Sequence, residues 1–334
     1  NNILLIYMKK FLLFFIIFLF IAKEALSLVI RDSEMENFIK GIASPIAIAA
    51  DQDDKNLKII ILGKNNVNAF VTPDQKIFIF TGLLIKSTHY NQLEGVLAHE
   101  IGHITGKHHM KIYDQLKKAR IINIAGLLLG GAATVLTGDP NALATIASGA
   151  QTTSERSLLS FSRVQEGSAD QAGFSFLKKS NTSVCGIISF LEFLESKELA
   201  GNQNPYTRSH PITSERIRDA KNAAKNEDCN QIKGIKSKIN QHKFIQAKIY
   251  GYMDPKNTIK NINLSKYFND DHKKYALAIA NYKTSNLKKA VQLMDELILK
   301  YSNNPYFYEL KAQILRENGY LNNALKNYSK AIEI

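Results

Sequence analysis

The spacing of apolar residues predicts a mainly helical chain with one small sheet. Residues 31–50 place apolar side chains three and four positions apart, as on one face of a helix. The apolar run 57–62 predicts a strand, and the alternating segments 67–71 and 76–80, separated by Thr-Pro-Asp-Gln, predict a hairpin. Further helical patterns cover 92–109, 162–178, 187–199 and the segment capped by Thr213 and Ser214, whereas a loop is expected over 204–211.

The C-terminal segment has a longer periodicity. From Tyr275 onward, small residues recur 34 positions apart, as at Ala290 and Ala324. A period of 34 residues is typical of tetratricopeptide (TPR) units, each of which is a pair of helices. We therefore predict an α+β, mainly helical domain over 28–240 and an all-α TPR region over 241–334. This region would hold about two repeats, which either dock on the preceding domain or belong to a longer array, the interpretation that the apolar last helix favours.

One apolar segment allows two interpretations. Residues 121–136 are apolar and rich in Gly and Ala, and 141–150 form a second stretch of small residues. The first interpretation is a pair of buried helices. The second is a helical hairpin, over 121–150, that contacts a membrane or a substrate. A complete membrane span is less favoured, because the first stretch is shorter than the roughly 20 apolar residues that a span needs.

The N-terminus has the pattern of a secretory signal. Two lysines precede an apolar run over 11–22 and a small-residue cleavage site at 25–27. We expect Met8 to be the start, with residues 1–7 upstream of it. The run is short for a membrane anchor, which is the alternative. The sequence therefore predicts a signal peptide over 1–27 and an exported protein, either secreted or periplasmic.

Charge and cysteine content narrow the classes of function. The 334-residue chain carries a net charge of +13, but its lysines are scattered and form no stripe interleaved with aromatic residues. We therefore expect no nucleic-acid binding. The two cysteines, Cys185 and Cys229, have no CxxC partner and form no thiolate zinc pair. Export permits a disulfide between them, and the alternative is that they never meet.

The segment LAHEIGHITGKHHM carries the densest chemistry in the chain. Residues four apart on a helix are neighbours, so His99 and His103 present two imidazoles to one point, with Glu100 beside them. Two histidine ligands and a carboxylate that takes a proton from water form the HExxH pattern of zinc hydrolases. A catalytic zinc also needs a third protein ligand and an open position.

The sequence offers two candidates for the third ligand. His109 completes the longer pattern HExxHxxGxxH, but on a continuous helix it lies about 15 Å beyond His99 and reaches the metal only if the chain turns at Gly106. Glu166 is the rival, in a helical segment where Asp170 lies one turn further on. There Glu166 would bind the metal, and Asp170 would accept the N–H of a ligand histidine.

Two motifs together resemble a known group of proteases. HExxH at 99–103 and S-R-x-x-E-x-x-A-D-x-x-G at 162–173 are similar to the gluzincin group that includes HtpX and the CAAX prenyl proteases. VNAFVTPDQKIFIFTGLL, SHPITSERI, the signal peptide and the repeats resemble more narrowly the BepA-like periplasmic zinc metalloproteases. The resemblance covers about residues 30–220 and the repeats. It implies a gluzincin metalloprotease fold that binds one Zn²⁺ per chain.

The resemblance also implies roles for individual residues. His99, His103 and Glu166 would be the zinc ligands, Glu100 the general base and Asp170 the partner of a ligand histidine. His210, in Ser-His-Pro, matches a histidine that can reach the zinc as a fourth ligand or gate.

The predicted hairpin supplies a candidate edge for substrate binding. An extended peptide adds to such an edge through backbone hydrogen bonds, which give little sequence selectivity. Asn68, Ala69 and Phe70 are the candidate positions.

The function expected from the resemblance is proteolysis in the cell envelope. Substrates would be unfolded or misassembled outer-membrane proteins, and the TPR region would contact the outer-membrane assembly machinery. The segment 121–150 would add a peripheral membrane contact under its second interpretation. The alternative function is an assembly chaperone or scaffold at the β-barrel assembly machinery, with a latent zinc site.

Overall fold

The fold is mainly helical with one small sheet, as predicted. The computed structural model describes residues 29–139, 141–201, 205–230 and 234–334. The predicted signal peptide lies outside the described residues.

A four-stranded sheet forms one side of the N-terminal part. Its strands are β1 (Val29–Ile30), β2 (Lys58–Leu62), β3 (Ala69–Val71) and β4 (Lys76–Phe80), in the order β1-β2-β4-β3. β4 runs parallel to β2 and antiparallel to β3, so β3 is an edge strand of the described sheet. The predicted strand and hairpin are therefore confirmed.

Helices account for most of the remaining described residues. In the N-terminal part they are α1 (Ser33–Ala49), α2 (Thr81–Lys86), α3 (Tyr90–Thr105), α4 (His108–Thr137), α5 (Ala142–Lys179), α6 (Cys185–Leu199), α7 (Pro205–Ser209) and α8 (Ser214–Ala223). In the C-terminal part they are α9 (Lys236–Met253), α10 (Pro255–Asn261), a 3₁₀ turn (Ile262–Leu264), α11 (Asp270–Lys283), α12 (Leu287–Lys300), α13 (Pro305–Glu317) and α14 (Leu321–Glu333).

The larger hydrophobic core surrounds α3. It contains the apolar face of α1, the inward side chains Ile77 and Ile79 of β4, and apolar residues of α5 and α6. α3 approaches α5 closely at two glycines. A Cβ on Gly102 would lie 2.5 Å from the carbonyl oxygen of Ala169, and one on Gly173 would lie 3.1 Å from the carbonyl carbon of Ala98. The backbones of α3 and α5 are therefore in direct contact, and this contact fixes α3, the helix that carries HExxH, against α5.

The predicted helix over 92–109 is in fact two helices. α3 ends at Thr105, and α4 begins at His108. Between them, Lys107 adopts a left-handed conformation with φ of 51° and redirects the chain. His108 and His109, the last two residues of the predicted helix, instead begin the next helix.

Helices α4 and α5 form a long antiparallel hairpin. The prediction of two buried helices over 121–150 is wrong, because nearly all of its described residues are exposed or half-buried and only Gly126 and Gly130 are fully buried. The predicted helix over 162–178 is the last part of α5, which begins much earlier, at Ala142.

Helices α6 to α8 close the N-terminal part. The structure joins Cys185, at the start of α6, to Cys229 in a disulfide. The segment expected as a loop over 204–211 contains α7. α8 has the predicted cap, in which the Thr213 side chain accepts a hydrogen bond from the backbone N–H of Arg216.

The C-terminal helices α11 to α14 follow one another as two pairs, and α11, α12 and α13 contribute to a second core together with α9. Ala290 of α12 and Ala324 of α14, which share the predicted 34-residue spacing, are both buried. α9 belongs to both cores, since Ile245 faces the first and Phe244 the second. The predicted boundary after residue 240 falls inside this helix, and the division into two domains stays a prediction.

Candidate metal centre

Helix α3 brings the two motif histidines together. His99 and His103 lie one turn apart, and their Nε2 atoms are 3.0 Å from each other. Both side chains are buried. Because both nitrogens face one point, the two rings are arranged as a pair of ligands.

Helix α5 adds a carboxylate to this pair. The Oε2 atom of Glu166 lies 3.2 Å from Nε2 of His99, and its Oε1 atom lies 3.3 Å from Nε2 of His103. The contact of α3 with α5 at Gly102 puts this carboxylate opposite the histidines.

The segment after α7 contributes a third histidine. His210 Nδ1 lies 3.2 Å from His99 Nε2 and 3.2 Å from both carboxylate oxygens of Glu166. Its ring stacks on the buried ring of Tyr206, with 4.6 Å between centroids. α7, which the sequence did not predict, thus places His210 at the cluster.

The four donor groups fit a zinc ion. His99, His103, Glu166 and His210 form the one group among the described residues in which ligand atoms of this kind converge within 4.8 Å. Zn–N and Zn–O bonds of about 2.0 Å in a tetrahedron put neighbouring ligand atoms about 3.3 Å apart. Five separations within the group, of 3.0 to 3.3 Å, agree with that spacing. Imidazole and carboxylate are also ligands that zinc prefers.

Asp170 lies behind His99. Its Oδ1 atom is 2.8 Å from Nδ1 of His99, so the ring donates there and leaves Nε2 free to bind a metal. Although burial alone would raise the pKa of Asp170, Arg216 holds it below its ordinary value. The carboxylate is therefore charged and fixes the tautomer of His99.

Arg216 is a site residue that the sequence reasoning missed. Its Nε donates to Oδ2 of Asp170 over 2.6 Å and its Nη2 to Oδ1 over 2.9 Å. Its Nη1 lies 3.0 Å from Oε2 of Glu166. The guanidinium thus holds both carboxylates in place. A signal was present, since Arg216 stands four positions before Ala220 and so on the buried face of α8.

His108 was also missed as a site residue. Its Nδ1 atom lies 2.9 Å from Nδ1 of His103. Burial lowers the pKa of His108 to about 4, so the ring is neutral and accepts the N–H of His103. This contact needs a glycine at 106, where a Cβ would collide with the His108 ring. The turn that creates the contact has no periodic signal in the sequence.

His109 does not join the cluster. The chain does turn at Gly106, as the longer motif requires, but the ring of His109 lies 6.2 Å from that of His103 between centroids. Glu166 stands in the position that His109 would have needed. The structure thus brings Glu166, and not His109, to the two motif histidines.

Glu100 lies beside the cluster in a fully buried position. The Nε2 atom of His210 lies 3.5 Å from the Oε1 atom of Glu100. Among the described residues, neither of its carboxylate oxygens has a hydrogen-bond partner. Burial raises the pKa of Glu100, which brings a carboxylate closer to the basicity that a proton-transfer group needs.

The two motif histidines differ in charge without a metal. Burial lowers the pKa of His103 to about 3, so this ring is neutral. Burial also disfavours the charged form of His99, but the carboxylates of Glu166 and Asp170 outweigh it and raise the pKa of His99 to about 10. Without a metal, the imidazole of His99 is therefore protonated on both nitrogens and positively charged at neutral pH.

The candidate binding positions lie at the edge of the sheet. Asn68 and Ala69 are buried, whereas Phe70 is half-buried and stacks on Phe78 with 5.1 Å between centroids. β3 pairs with β4 on one side. The geometry of an open edge is present, and its use by a substrate stays a prediction.

Comparison with known proteins identifies related sequences. The model of peptidase family M48 matches residues 30–224. The chain is 22% identical over 293 residues to the beta-barrel assembly-enhancing protease of Yersinia pestis, covering 85% of this chain and 59% of that protein. The corresponding protease of Escherichia coli K12 is 23% identical over 196 residues, covering 58% of this chain and 40% of that protein. Metalloprotease YcaL of Escherichia coli K12 is 30% identical over 159 residues, covering 46% of this chain and 58% of that protein. The chain thus spans about half the length of these relatives.

Proposed function

Because this chain belongs to peptidase family M48, a family of metalloproteases, we propose that it is a zinc-dependent endopeptidase of the cell envelope. The convergence of His99, His103 and Glu166 on one point, with Glu100 beside it, is the observation that supports this function most strongly. In this proposal the first three residues are the zinc ligands and Glu100 is the general base.

The chemistry follows from the position of Glu100. A bound zinc ion supplies a Lewis acid and lowers the pKa of water at the site. Glu100 accepts a proton from the water that attacks the scissile carbonyl. After the carbon–oxygen bond forms, Glu100 transfers this proton to the amide nitrogen, and the carbon–nitrogen bond breaks. Asp170 and Arg216 keep the imidazole of His99 and the carboxylate of Glu166 oriented throughout.

His210 is proposed as a fourth ligand or gate. Its Nδ1 takes the fourth corner of the donor set, where a substrate carbonyl or water must bind. It stands on a short segment between α7 and α8 and not within a long helix. Catalysis then requires this segment to move, so the histidine would limit cleavage of folded proteins.

Two other surfaces are proposed to bind protein substrates and protein partners. Asn68, Ala69 and Phe70 would align an unfolded peptide along the edge of β3 by backbone hydrogen bonds. The C-terminal helix pairs, interpreted as TPR units, would bind partner proteins. The relatives are named for enhancing β-barrel assembly. We extend this to the present chain as a periplasmic role in degrading misassembled outer-membrane proteins at the assembly machinery.

The test compares Glu100→Gln with Glu94→Gln. The second variant is the matched control, because Glu94 is also a buried glutamate of α3. Cleavage of reduced, unfolded casein should fall about 100-fold or more in Glu100→Gln, while zinc content stays at the wild-type level. Glu94→Gln should cleave normally. Wild-type protein that holds zinc but cleaves no unfolded chain would refute the peptidase proposal and favour the assembly chaperone.

A further inference from the structure

The hairpin of α4 and α5 exposes an unusual amount of apolar surface. By length and composition alone, α4 is the one helix in the described part of the chain that could cross a membrane. Large apolar side chains of the outer part of the hairpin are exposed, namely Ile121, Ile124, Leu127, Leu128, Leu129, Val135, Leu136 and Leu143. The metal centre lies at the opposite end, where α4 begins and α5 ends.

The seam between the two helices is made of small residues and not of leucines. A Cβ on Gly126 would collide with the Cβ of Ala150, and one on Gly130 would lie 3.0 Å from Cα of Leu143. A hairpin that is stable in water buries its large apolar side chains in the seam. Close packing through Gly-x-x-x-Gly, with leucines outward, is typical of helices in lipid.

The exposed apolar side chains point in several directions. Leu127, Leu128 and Leu129 are consecutive, so they are directed about 100° apart around the axis of α4. A single protein partner on one side would leave part of this surface in water. A lipid phase covers all of it at once.

Charged residues are arranged around this surface as at a membrane interface. Between Arg120 and Glu155 the sequence has one charged residue, Asp139, in the loop at the tip. At the base of the outer part lie Lys111, Lys117, Lys118, Arg120 and Arg156, against Asp114 and Glu155. A basic belt below an apolar tip is complementary to anionic lipid headgroups.

We propose that the outer part of the hairpin, residues 121–150, inserts into an anionic lipid bilayer and anchors the protein to it. The segment 121–137 is about 25 Å long, close to the roughly 30 Å of the hydrocarbon core. Asp139 then lies near the far boundary of the core and not at its centre, where a charge is most costly. Lys117, Lys118 and Arg120 lie at the headgroups of the near leaflet.

Insertion would also fix the height of the metal centre. Ile121 lies thirteen positions beyond His108 in the chain, so the centre would stand about 20 Å above the edge of the hydrocarbon core. This consequence rests on the proposed function: peptides cleaved there would be segments that emerge close to the lipid surface.

The first test uses the absence of tryptophan from the chain. Leu136→Trp and Leu299→Trp each add one tryptophan at a position that is 85% exposed, the first in the hairpin and the second in α12. With vesicles of phosphatidylethanolamine and phosphatidylglycerol, the emission of Leu136→Trp should shift to the blue and be quenched by brominated acyl chains. Leu299→Trp should do neither.

The second test removes the apolar surface. Leu128→Ser combined with Leu129→Ser should lower partitioning into the same vesicles at least about tenfold, because two large apolar side chains that lipid would bury are replaced by small polar ones. Leu199→Ser combined with Leu299→Ser is the control and should bind normally, because both leucines are at least as exposed but lie outside the hairpin. Both variants should keep wild-type zinc content.

Two results would overturn the proposal. One is the absence of vesicle binding by the chain whose hairpin is unaltered. The other is a blue shift of Leu136→Trp that grows with protein concentration without lipid, which would show that the hairpin packs on a second copy. Binding is measured in a Glu100→Gln background, so failure of the peptidase proposal cannot be mistaken for failure of this one.

Discussion

Replacement of Arg216 by methionine tests whether the buried charge network holds the site together. The guanidinium makes three contacts to carboxylate oxygens, at 2.6, 2.9 and 3.0 Å, and its side chain is 5% exposed. Methionine keeps much of the volume but removes the guanidinium charge that Asp170 and Glu166 share, so that only His99 still faces both carboxylates. Removing one member of such a buried pair costs about 3–5 kcal/mol.

The control lies two residues further along the same helix. Arg218 is 65% exposed and pairs with Glu215 and Asp219 at 3.6 and 3.8 Å. Because exposed pairs contribute about 1 kcal/mol or less, Arg218→Met should change the free energy of unfolding only slightly.

Urea denaturation of the metal-free proteins gives the two free energies of unfolding. We expect Arg216→Met to lose about 3–5 kcal/mol relative to wild type and Arg218→Met less than about 1 kcal/mol. Zinc should reduce the difference in free energy of unfolding between Arg216→Met and wild type, since the ion supplies positive charge to the same carboxylates. Equal losses for the two variants would refute the role assigned to Arg216.

Three further predictions concern ionisation and orientation of nearby groups. Burial raises the pKa of Glu94 to about 7, so the folded protein binds this proton more tightly than the unfolded chain does. The protonated carboxyl therefore adds to the free energy of unfolding in full below pH 4.5, and this contribution is lost as the pH rises through 7. Relative to Glu94→Gln, the wild type should therefore lose up to about 3 kcal/mol between those pH values in urea denaturation, and parallel curves would contradict this. His108→Ala should weaken zinc binding about tenfold or more, measured by competition with a chelator. His108→Asn should recover part of the affinity, because asparagine keeps a hydrogen-bond acceptor for His103. An unchanged zinc affinity in His108→Ala would exclude the orienting role of His108. Zinc binding at pH 7 should release about one proton, since the imidazole of His99 is positively charged without metal. Calorimetry in buffers of different ionisation enthalpy measures the number of protons released. If no proton is released, the raised pKa of His99 is contradicted.

Local patterns in the sequence predicted the elements that depend on local physics. The alternating segments became β3 and β4, and the Thr213 cap formed because its hydroxyl satisfies a free N–H at the start of α8. The i, i+4 rule placed His99 and His103 side by side. Each of these outcomes follows from residues a few positions apart.

Features set by the three-dimensional packing could not be predicted in this way. The turn at Lys107 depends on a left-handed residue other than glycine and on the room that Gly106 leaves for His108. Arg216 contacts Asp170 across 46 residues of sequence. The Gly and Ala pattern over 121–150 indicates close helix packing, but it does not reveal whether the outer faces meet protein, water or lipid.

The most direct test of the metal centre compares the zinc content of Glu166→Ala and His109→Ala after purification and dialysis, measured by elemental analysis. Glu166→Ala should retain only a small fraction of the wild-type zinc, because a carboxylate within 3.3 Å of both histidine nitrogens is removed. His109→Ala should retain the wild-type amount. The reverse outcome, zinc lost with His109 and kept without Glu166, would contradict the site described here.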